Sequence, residues 1–283
     1  MSFQIACQTL PYSELSLERA IEGIAAAGYK YGALGTTHQG KPALDLDAGT
    51  AAAVAVTQQF EKAGLNLVMM FAMTNGVGPG ADEKFRRRID QARAAGVPFL
   101  LSMGTGGYAK WPDVKHTPEK AAELNQQFVE AIKPIGEYAA KAGVMIVLKP
   151  HTGNTETGVA CLKLMKEINC PSVQVCYDAG NVKFYEGVDP HEDVKVIRDY
   201  VRAVCIKDHR GPRANPVFPC PGDGDVDHRR LLKPLASLPW AVPLAVERFE
   251  DGRVKKEMSA DLIDSLAKRA RLHLEAAVAD ARA

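Results

Sequence analysis

Short apolar runs alternate with longer amphipathic segments from one end of the chain to the other. Eight of the runs are brief and rich in β-branched residues. Apolar runs of this length are typical of strands that are buried on both faces of a parallel sheet. The predicted strands are Gln4–Gln8, Tyr31–Gly35, Leu65–Ala72, Phe99–Met103, Val144–Lys149, Val173–Tyr177, Ala203–Lys207 and Val242–Glu247.

The segments between these runs have helical periodicity. In the first of them Leu17, Ile21 and Ile24 share one face, and the glycine that follows at Gly28 is a common C-cap choice. A later segment begins with Thr and Pro, which suit an N-cap and the first helical position. The predicted helices are Leu17–Ala27, Asp47–Ala63, Asp82–Ala95, Thr117–Ala142, Thr157–Asn169, Asp189–Tyr200, Asp227–Ser237 and Ser259–Ala279.

Eight strands that are each followed by a helix predict an α/β fold, a single (β/α)8 TIM barrel, with one domain over residues 1–283. The helix-to-strand connections are short, whereas several strand-to-helix connections are long and rich in Gly and His. In a barrel the second kind forms the active-site mouth. The long connections are Thr36–Leu46, Thr74–Ala81, Gly104–His116 and Arg210–Asp227.

Composition and charge narrow the class of protein. With 46% hydrophobic residues in 283, the chain can bury a sizeable core, and its net charge of +1 gives no reason to expect a nucleic-acid partner. No apolar run approaches the length of a membrane span, and the segment Met1–Cys7 lacks the features of a signal peptide. Six scattered cysteines without a CxxC pair are typical of reduced thiols. We therefore expect a cytoplasmic protein without membrane contact.

Four consecutive predicted strands end on ionisable residues, namely Lys149, Asp178, Lys207 and Glu247. The carboxyl ends of barrel strands converge on one mouth, so we expect these side chains to meet there. Carboxylates at facing strand ends suit a divalent cation or a general base. The alternative for each carboxylate is a helix cap or a pair with a nearby arginine such as Arg248.

Several sequence motifs along the chain resemble those of the sugar isomerases and epimerases of the xylose-isomerase-like TIM-barrel superfamily. That superfamily includes ketose 3-epimerases, inosose dehydratases and endonuclease IV. The resemblance covers almost the whole chain and is specific for the superfamily rather than for a substrate. The motifs are Ala27-Gly28-Tyr29, Asp178-Ala179-Gly180-Asn181, Ile206-Lys207-Asp208, Pro221-Gly222-Asp223-Gly224-Asp225-Val226-Asp227 and the single residue Glu247.

The resemblance implies one divalent metal, held by Glu on strand five, Asp on strand six, His on strand seven and Glu on strand eight. Asp178 and Glu247 match this pattern, whereas Lys149 and Cys205 stand at the other two positions. Two histidines lie two residues beyond Lys149 and Lys207, on the same side if the chain is extended. The predicted metal ligands are therefore Asp178, Glu247, His151 and His209, around manganese, magnesium or zinc.

The two lysines allow a reading without a metal. Lys149 or Lys207 could supply the positive charge that holds an enediolate oxygen. A lysine with a lowered pKa could instead form a Schiff base with a carbonyl substrate. The third possibility is an ion pair of Lys149 with Glu247 or Asp178 that only supports the structure.

Residues at the mouth are candidates for substrate contacts. Asn181 follows Asp178 in a Gly-containing turn, and Trp111 lies in a long mouth loop where it could stack on a sugar face. His209 and Arg210 could recognise hydroxyl or acidic groups. The glycine-rich segment before Asp227 is expected to shape its loop, with Asp227 as the cap of the next helix.

The resemblance and the matched carboxylates predict a sugar or cyclitol isomerase or epimerase, with a lyase as the runner-up. Glu247, Lys149, His151 and Lys207 are the predicted catalytic residues, acting on a proton alpha to a carbonyl. The alternatives are a metal-free, lysine-dependent aldolase or dehydratase, and a sugar-binding barrel without activity. The expected partner is a small sugar or polyol, and the protein is a possible homo-oligomer.

Overall fold

Eight parallel strands close into a barrel in the computed structural model, which describes residues 3–282. Each strand pairs with its neighbours in chain order, and the first and last strands complete the ring. Met1, Ser2 and Ala283, at the ends of the predicted domain 1–283, lie outside the described residues. The strands are β1 (Phe3–Gln8), β2 (Tyr31–Leu34), β3 (Asn66–Phe71), β4 (Phe99–Met103), β5 (Met145–Lys149), β6 (Val173–Asp178), β7 (Val201–Ile206) and β8 (Val242–Val246).

A helix follows each strand, so the predicted (β/α)8 TIM barrel is confirmed. The helix over residues 118–142 starts as expected, because the Thr117 side chain accepts a hydrogen bond from the Lys120 N–H and Pro118 is the first helical residue. The helices are α1 (Leu17–Ala26), α2 (Gly49–Lys62), α3 (Ala81–Ala94), α4 (Pro118–Ala142), α5 (Gly158–Ile168), α6 (Pro190–Ile197), α7 (His228–Leu232) and α8 (Ala260–Arg282).

Two of the helix predictions were too long. Helix α6 gives way to a 3₁₀ turn at Arg198–Tyr200, and α7 gives way to another at Lys233–Leu235. The second turn contains Pro234, which has no N–H to continue an α-helix. The strand predictions agree with the structure to within two residues at each end, because the apolar runs are sharply bounded.

The core has two parts. Most of it lies between the barrel and the surrounding helices. A smaller cluster fills the inside of the barrel with mainly small side chains and so blocks the channel below the mouth. Its buried members are Ala6, Ala33, Val68, Met69, Leu101, Val147, Cys176, Ala203, Cys205 and Ala245.

The connections at the carboxyl ends of the strands carry short elements of their own. One mouth loop forms a ribbon from Tyr108–Lys110 and Val114–Lys115. After β6 the chain makes a helical turn at Ala179–Asn181 and a π-helix at Val182–Glu186. Among residues 3–282, no helix combines the length and the apolar character that crossing a bilayer requires.

Candidate active site

Four neighbouring strands, β5 to β8, each place a residue inside the barrel close to the carboxyl end. Side chains alternate between the two faces of a strand, so the residue two positions further also points towards the barrel axis. On each of these strands that residue is ionisable. The interior residues are Val147, Cys176, Cys205 and Ala245, and the residues above them are Lys149, Asp178, Lys207 and Glu247, which form the charge quartet.

The two ammonium groups of the charge quartet alternate with its two carboxylates. Lys149 Nζ lies 2.5 Å from Glu247 Oε1 and 3.9 Å from Asp178 Oδ2. Lys207 Nζ lies 2.7 Å from Glu247 Oε2 and 3.3 Å from Asp178 Oδ2. No member is more than 5% exposed. The four formal charges sum to zero, which is what allows them to be buried together.

The environment moves the pKa values of Glu247, Lys149 and Asp178 in different directions. Burial alone would raise the pKa of Glu247, but Lys149 and Lys207 outweigh it and hold the pKa well below its usual range. Burial would lower the pKa of Lys149, but the negative charges around it, above all that of Glu247, raise the pKa above its ordinary value. Burial raises the pKa of Asp178. Lys149 and Glu247 are therefore both charged at neutral pH.

A metal site was predicted at this position, and the carboxylates are indeed clustered. Within residues 3–282, Asp178, Cys205 and Glu247 are the one set of three or more potential ligands with all donor atoms within 4.8 Å of one another. The contact with Cys176, together with burial, raises the pKa of Cys205 well above its ordinary value, so it remains a thiol. Two ammonium groups contact the carboxylates that an ion would need. While both lysines are charged, this donor set does not fit a divalent cation.

The quartet lies at the floor of a cavity of about 670 Å³ at the mouth of the barrel. Lys149, Lys207 and Glu247 reach its surface, whereas Asp178 is fully buried behind them. Trp111 packs against three other aromatic rings of the wall, and its ring centroid lies 4.9 Å from that of Tyr185. The aromatic residues that line the cavity are Phe71, Tyr108, Trp111, Phe184, Tyr185 and Phe218.

His151 lines the same cavity beside the quartet, and its Nε2 lies 2.7 Å from the Tyr185 hydroxyl. Burial, with the positive charges of Lys149 and Lys207, lowers the pKa of His151 to about 4. Burial raises the pKa of Tyr185, so the phenol keeps its proton. Sequence reasoning missed Tyr185, since it reaches the mouth through a π-helix, an element that has no simple sequence signature.

We predict that His151 is neutral at pH 7 and titrates near pH 4. As the pH falls below the ordinary histidine pKa of 6.5, the unfolded chain binds a proton before the folded chain does. Stability is therefore lost progressively between about pH 6.5 and pH 4, and this residue has no effect on stability above that range. A ¹H–¹³C NMR titration of the imidazole, assigned with the His151→Asn variant, measures the midpoint. A midpoint at or above 6.5 would contradict the prediction.

Of the predicted substrate contacts, Asn181 and Trp111 line the cavity. The Asn181 N–H donates to Asp178 Oδ1, and its side-chain amide donates to the Pro150 carbonyl oxygen at 2.7 Å. These bonds tie the end of β5 to the turn after β6. The helix-cap alternative for Asp178 is thereby realised, alongside its place in the quartet.

The structure does not bring His209 and Arg210 to the cavity wall. His209 is fully buried, with Nε2 2.7 Å from the Asn215 carbonyl oxygen and its ring among those of Phe184 and Phe218. Arg210 pairs with Asp251 on the surface. The geometry gives no support to either as a ligand or a substrate contact. Strand β7 ends at Ile206, so the extended geometry assumed for His209 does not continue that far.

The loop after β7 is organised by one buried carboxylate. Asp208 is 0% exposed and accepts four backbone N–H groups, those of His209, Gly222, Gly224 and Val226, at 2.8–3.0 Å. A Cβ atom on Gly224 would lie 2.2 Å from Asp208 Oδ1, so only glycine fits there. The loop-shaping role predicted for this segment is confirmed. Asp227 caps α7 through the N–H groups of the next turn, as predicted.

Arg248 is not the partner of Glu247. Its Nε lies 3.3 Å from Glu250, and its guanidinium lies over the ring of Phe218 at 4.1 Å from the centroid. The arginine alternative for Glu247 is therefore wrong, and the two quartet lysines are the groups that pair with this carboxylate.

The fold and the site define a class of protein, a (β/α)8 barrel with buried charges and an aromatic wall at the carboxyl ends of its strands. Residues 21–270 match the family model described as xylose isomerase-like TIM barrel. The chain therefore belongs to the xylose isomerase-like TIM barrel family, which confirms the resemblance of its motifs. Curated proteins gave no significant match.

Solved structures share the fold at low identity. A xylose isomerase domain protein from Alicyclobacillus acidocaldarius is 18% identical, with a TM-score of 0.77 over 100% of both chains. A D-allulose 3-epimerase from Methylomonas sp. in complex with D-allulose is 22% identical, with a TM-score of 0.70 over 97% of this chain and 96% of that one. A xylose isomerase-like TIM barrel protein from Mycobacterium smegmatis in complex with magnesium is 14% identical, with a TM-score of 0.75 over 100% and 98%.

Proposed function

We propose that this protein is an isomerase or epimerase that acts on a sugar or cyclitol by removing a proton alpha to a carbonyl group. The observation that carries the proposal is the cavity itself, in which a carboxylate held between two ammonium groups faces an aromatic wall. The volume of about 670 Å³ is within the usual range for small-molecule sites. The family and the D-allulose complex of a similar barrel support a sugar as the substrate class.

The chemistry of enolisation explains why buried ammonium groups matter. Removal of an alpha proton moves negative charge onto the carbonyl oxygen, and fixed positive charges next to that oxygen lower the barrier. Lys149 and Lys207 reach the cavity surface and supply these charges. Because the site is shielded from bulk water, their effect is larger than it would be in solution.

Glu247 is the base in this proposal. It is ionised in the resting site, and both lysines restrain its basicity. As negative charge develops on the substrate oxygen, it draws the ammonium groups away from the carboxylate, so the pKa of Glu247 rises as the proton is transferred. Asp178 stays behind the lysines and keeps them oriented.

His151 and Tyr185 form a second proton-handling pair in the cavity. The neutral imidazole and the protonated phenol share a hydrogen bond and offer polar atoms to a substrate hydroxyl. In the proposed reaction Glu247 gives the abstracted proton back to carbon, and the His151–Tyr185 pair passes a proton from the substrate hydroxyl to the former carbonyl oxygen, so that both residues and Glu247 end in their starting protonation states. Asn181 and Trp111 position the substrate. His209 and Arg210 lie outside the cavity and hold the loop after β7 in place.

The lysine-dependent aldolase or dehydratase is less well supported. A Schiff base requires an unprotonated amine, whereas the pKa of Lys149 is raised by Glu247 and its neighbours despite burial. Borohydride trapping with a carbonyl substrate, lost in the Lys149→Ala variant, would favour that mechanism. A homo-oligomer and a cytoplasmic location stay predictions from the sequence.

Proton abstraction has a direct readout. A panel of ketopentoses, ketohexoses and keto-cyclitols is incubated with the protein in D₂O and followed by NMR. We expect deuterium to enter a substrate at the carbon next to its carbonyl group, together with formation of the epimer or isomer. The Glu247→Gln variant is the control, and its exchange should be slower by about 10²–10⁴-fold. Thermal stabilisation by a panel member without any exchange would support the binding-protein alternative instead.

A further inference from the structure

The two lysines of the charge quartet lie where a shared cation would have to be. Lys149 Nζ is between the carboxylates, at 2.5 Å from Glu247 and 3.9 Å from Asp178. The carboxylate oxygens and the thiol of Cys205 are within 4.8 Å of one another, a spacing compatible with ligands of a single ion. The space among these ligands is thus taken by ammonium nitrogen.

Charge balance decides whether the ammonium groups or a divalent metal ion can occupy the space between the carboxylates. The quartet is neutral, so a divalent ion added to it would leave a buried charge of +2 unless both lysines lost their protons. If residue 149 carried a carboxylate, the site would hold three carboxylates and one ammonium, with a net charge of −2. A divalent ion would then bring the site to neutrality.

We propose that the ammonium groups of Lys149 and Lys207 together take the place of a divalent metal ion in this site and exclude the ion. This deepens the proposed function, on which it rests for the role of the positive charges. The manganese, magnesium or zinc predicted from the resemblance is then not required for turnover. The exclusion of the ion is a property of the folded site, and it can be measured without a substrate.

The experiment compares metal binding by the wild-type protein, the Lys149→Glu variant and a Lys149→Gln control. The glutamine has the shape of the introduced glutamate but no charge. Each is dialysed against EDTA, loaded with Mn²⁺ or Zn²⁺, and examined by calorimetry, elemental mass spectrometry and thermal denaturation. We expect the wild-type protein to retain no ion and its melting temperature to be indifferent to EDTA. Lys149→Glu should retain about one ion per chain and bind it at least about 100-fold more tightly than Lys149→Gln, since one added charge at contact distance has an effect of this order.

Each outcome decides a part of the proposal. A tightly held ion in the wild-type protein, with a fall in melting temperature on EDTA treatment, would overturn it. A folded Lys149→Glu protein that binds no ion would overturn the role of Lys149. If that variant does not fold, Lys207→Glu gives the same net charge and serves in its place, and the wild-type measurement stands by itself.

Turnover is tested separately, so the two proposals can fail independently. Deuterium exchange that persists in wild-type protein after EDTA treatment is expected. Exchange that is abolished by EDTA and restored by Mn²⁺ would overturn metal independence and keep the isomerase. Absence of exchange on every substrate would count against the isomerase and leave the metal-binding result intact.

Discussion

Glutamine in place of Glu247 should lower the free energy of unfolding by about 3–5 kcal/mol, the usual cost of leaving a buried charge unpaired. It should also reduce deuterium exchange by about 10²–10⁴-fold, the range for loss of a general base. Stability falls because Glu247 is the closest partner of both ammonium groups. Activity falls because Glu247 is the carboxylate of the quartet that reaches the cavity. Urea denaturation and the NMR exchange assay measure the two effects.

A second substitution separates stability from catalysis. Combining Glu247→Gln with Lys149→Met returns the buried charge to zero, because one carboxylate then faces one ammonium. We expect this double variant to recover most of the lost stability and to remain inactive. A Glu247→Gln protein that is both as stable and as active as the wild type would contradict the assigned roles.

Replacing Asp208 with asparagine should destabilise the protein by about 3–5 kcal/mol, because several buried hydrogen bonds to a charged acceptor are lost together. Oδ1 accepts the N–H groups of His209 and Val226, and Oδ2 accepts those of Gly222 and Gly224. An asparagine can satisfy one pair, and its NH₂ group then faces the donors of the other. Urea denaturation gives the energy, and amide hydrogen exchange at the two glycines reports loosening of the loop.

Asp225 provides the matched control for Asp208. It lies in the same loop and accepts one N–H, from Gly211 at 2.7 Å, but its side chain is 44% exposed. The Asp225→Asn variant should cost less than about 1 kcal/mol, as for other exposed polar contacts. Equal effects of the two substitutions would show that Asp208 does not organise the loop.

The barrel and the cluster at its mouth could be predicted because both depend on local pattern. Apolar runs mark the strands, and the carboxyl ends of the strands in a barrel converge on one mouth. The ionisable residues at four consecutive strand ends, Lys149, Asp178, Lys207 and Glu247, could therefore be predicted to lie together. The predicted structural pair of Lys149 with Glu247 is present, at 2.5 Å.

Other parts of the site depend on contacts between distant segments, for which the sequence has no simple signal. Asp208 accepts hydrogen bonds from N–H groups up to 18 residues away. Every residue except proline has a backbone N–H, so the sequence does not indicate which of them Asp208 will bind. The same loop geometry turns His209 away from the cavity. Tyr185 reaches His151 only because a π-helix follows Asn181. In each case the path of the chain after a strand decides the outcome.

The neutrality of the charge quartet has a consequence for ligand affinity. In the resting site every positive charge already has a carboxylate partner, so the uncharged ketose of the proposed reaction would gain little by approaching the lysines. The gain appears only as negative charge develops on its oxygen, when the ammonium groups have a stronger partner than before. Such a site discriminates between a substrate and its transition state, which favours turnover over tight binding of the ground state. Anionic mimics of an enediolate should therefore be held far more tightly than the sugars themselves.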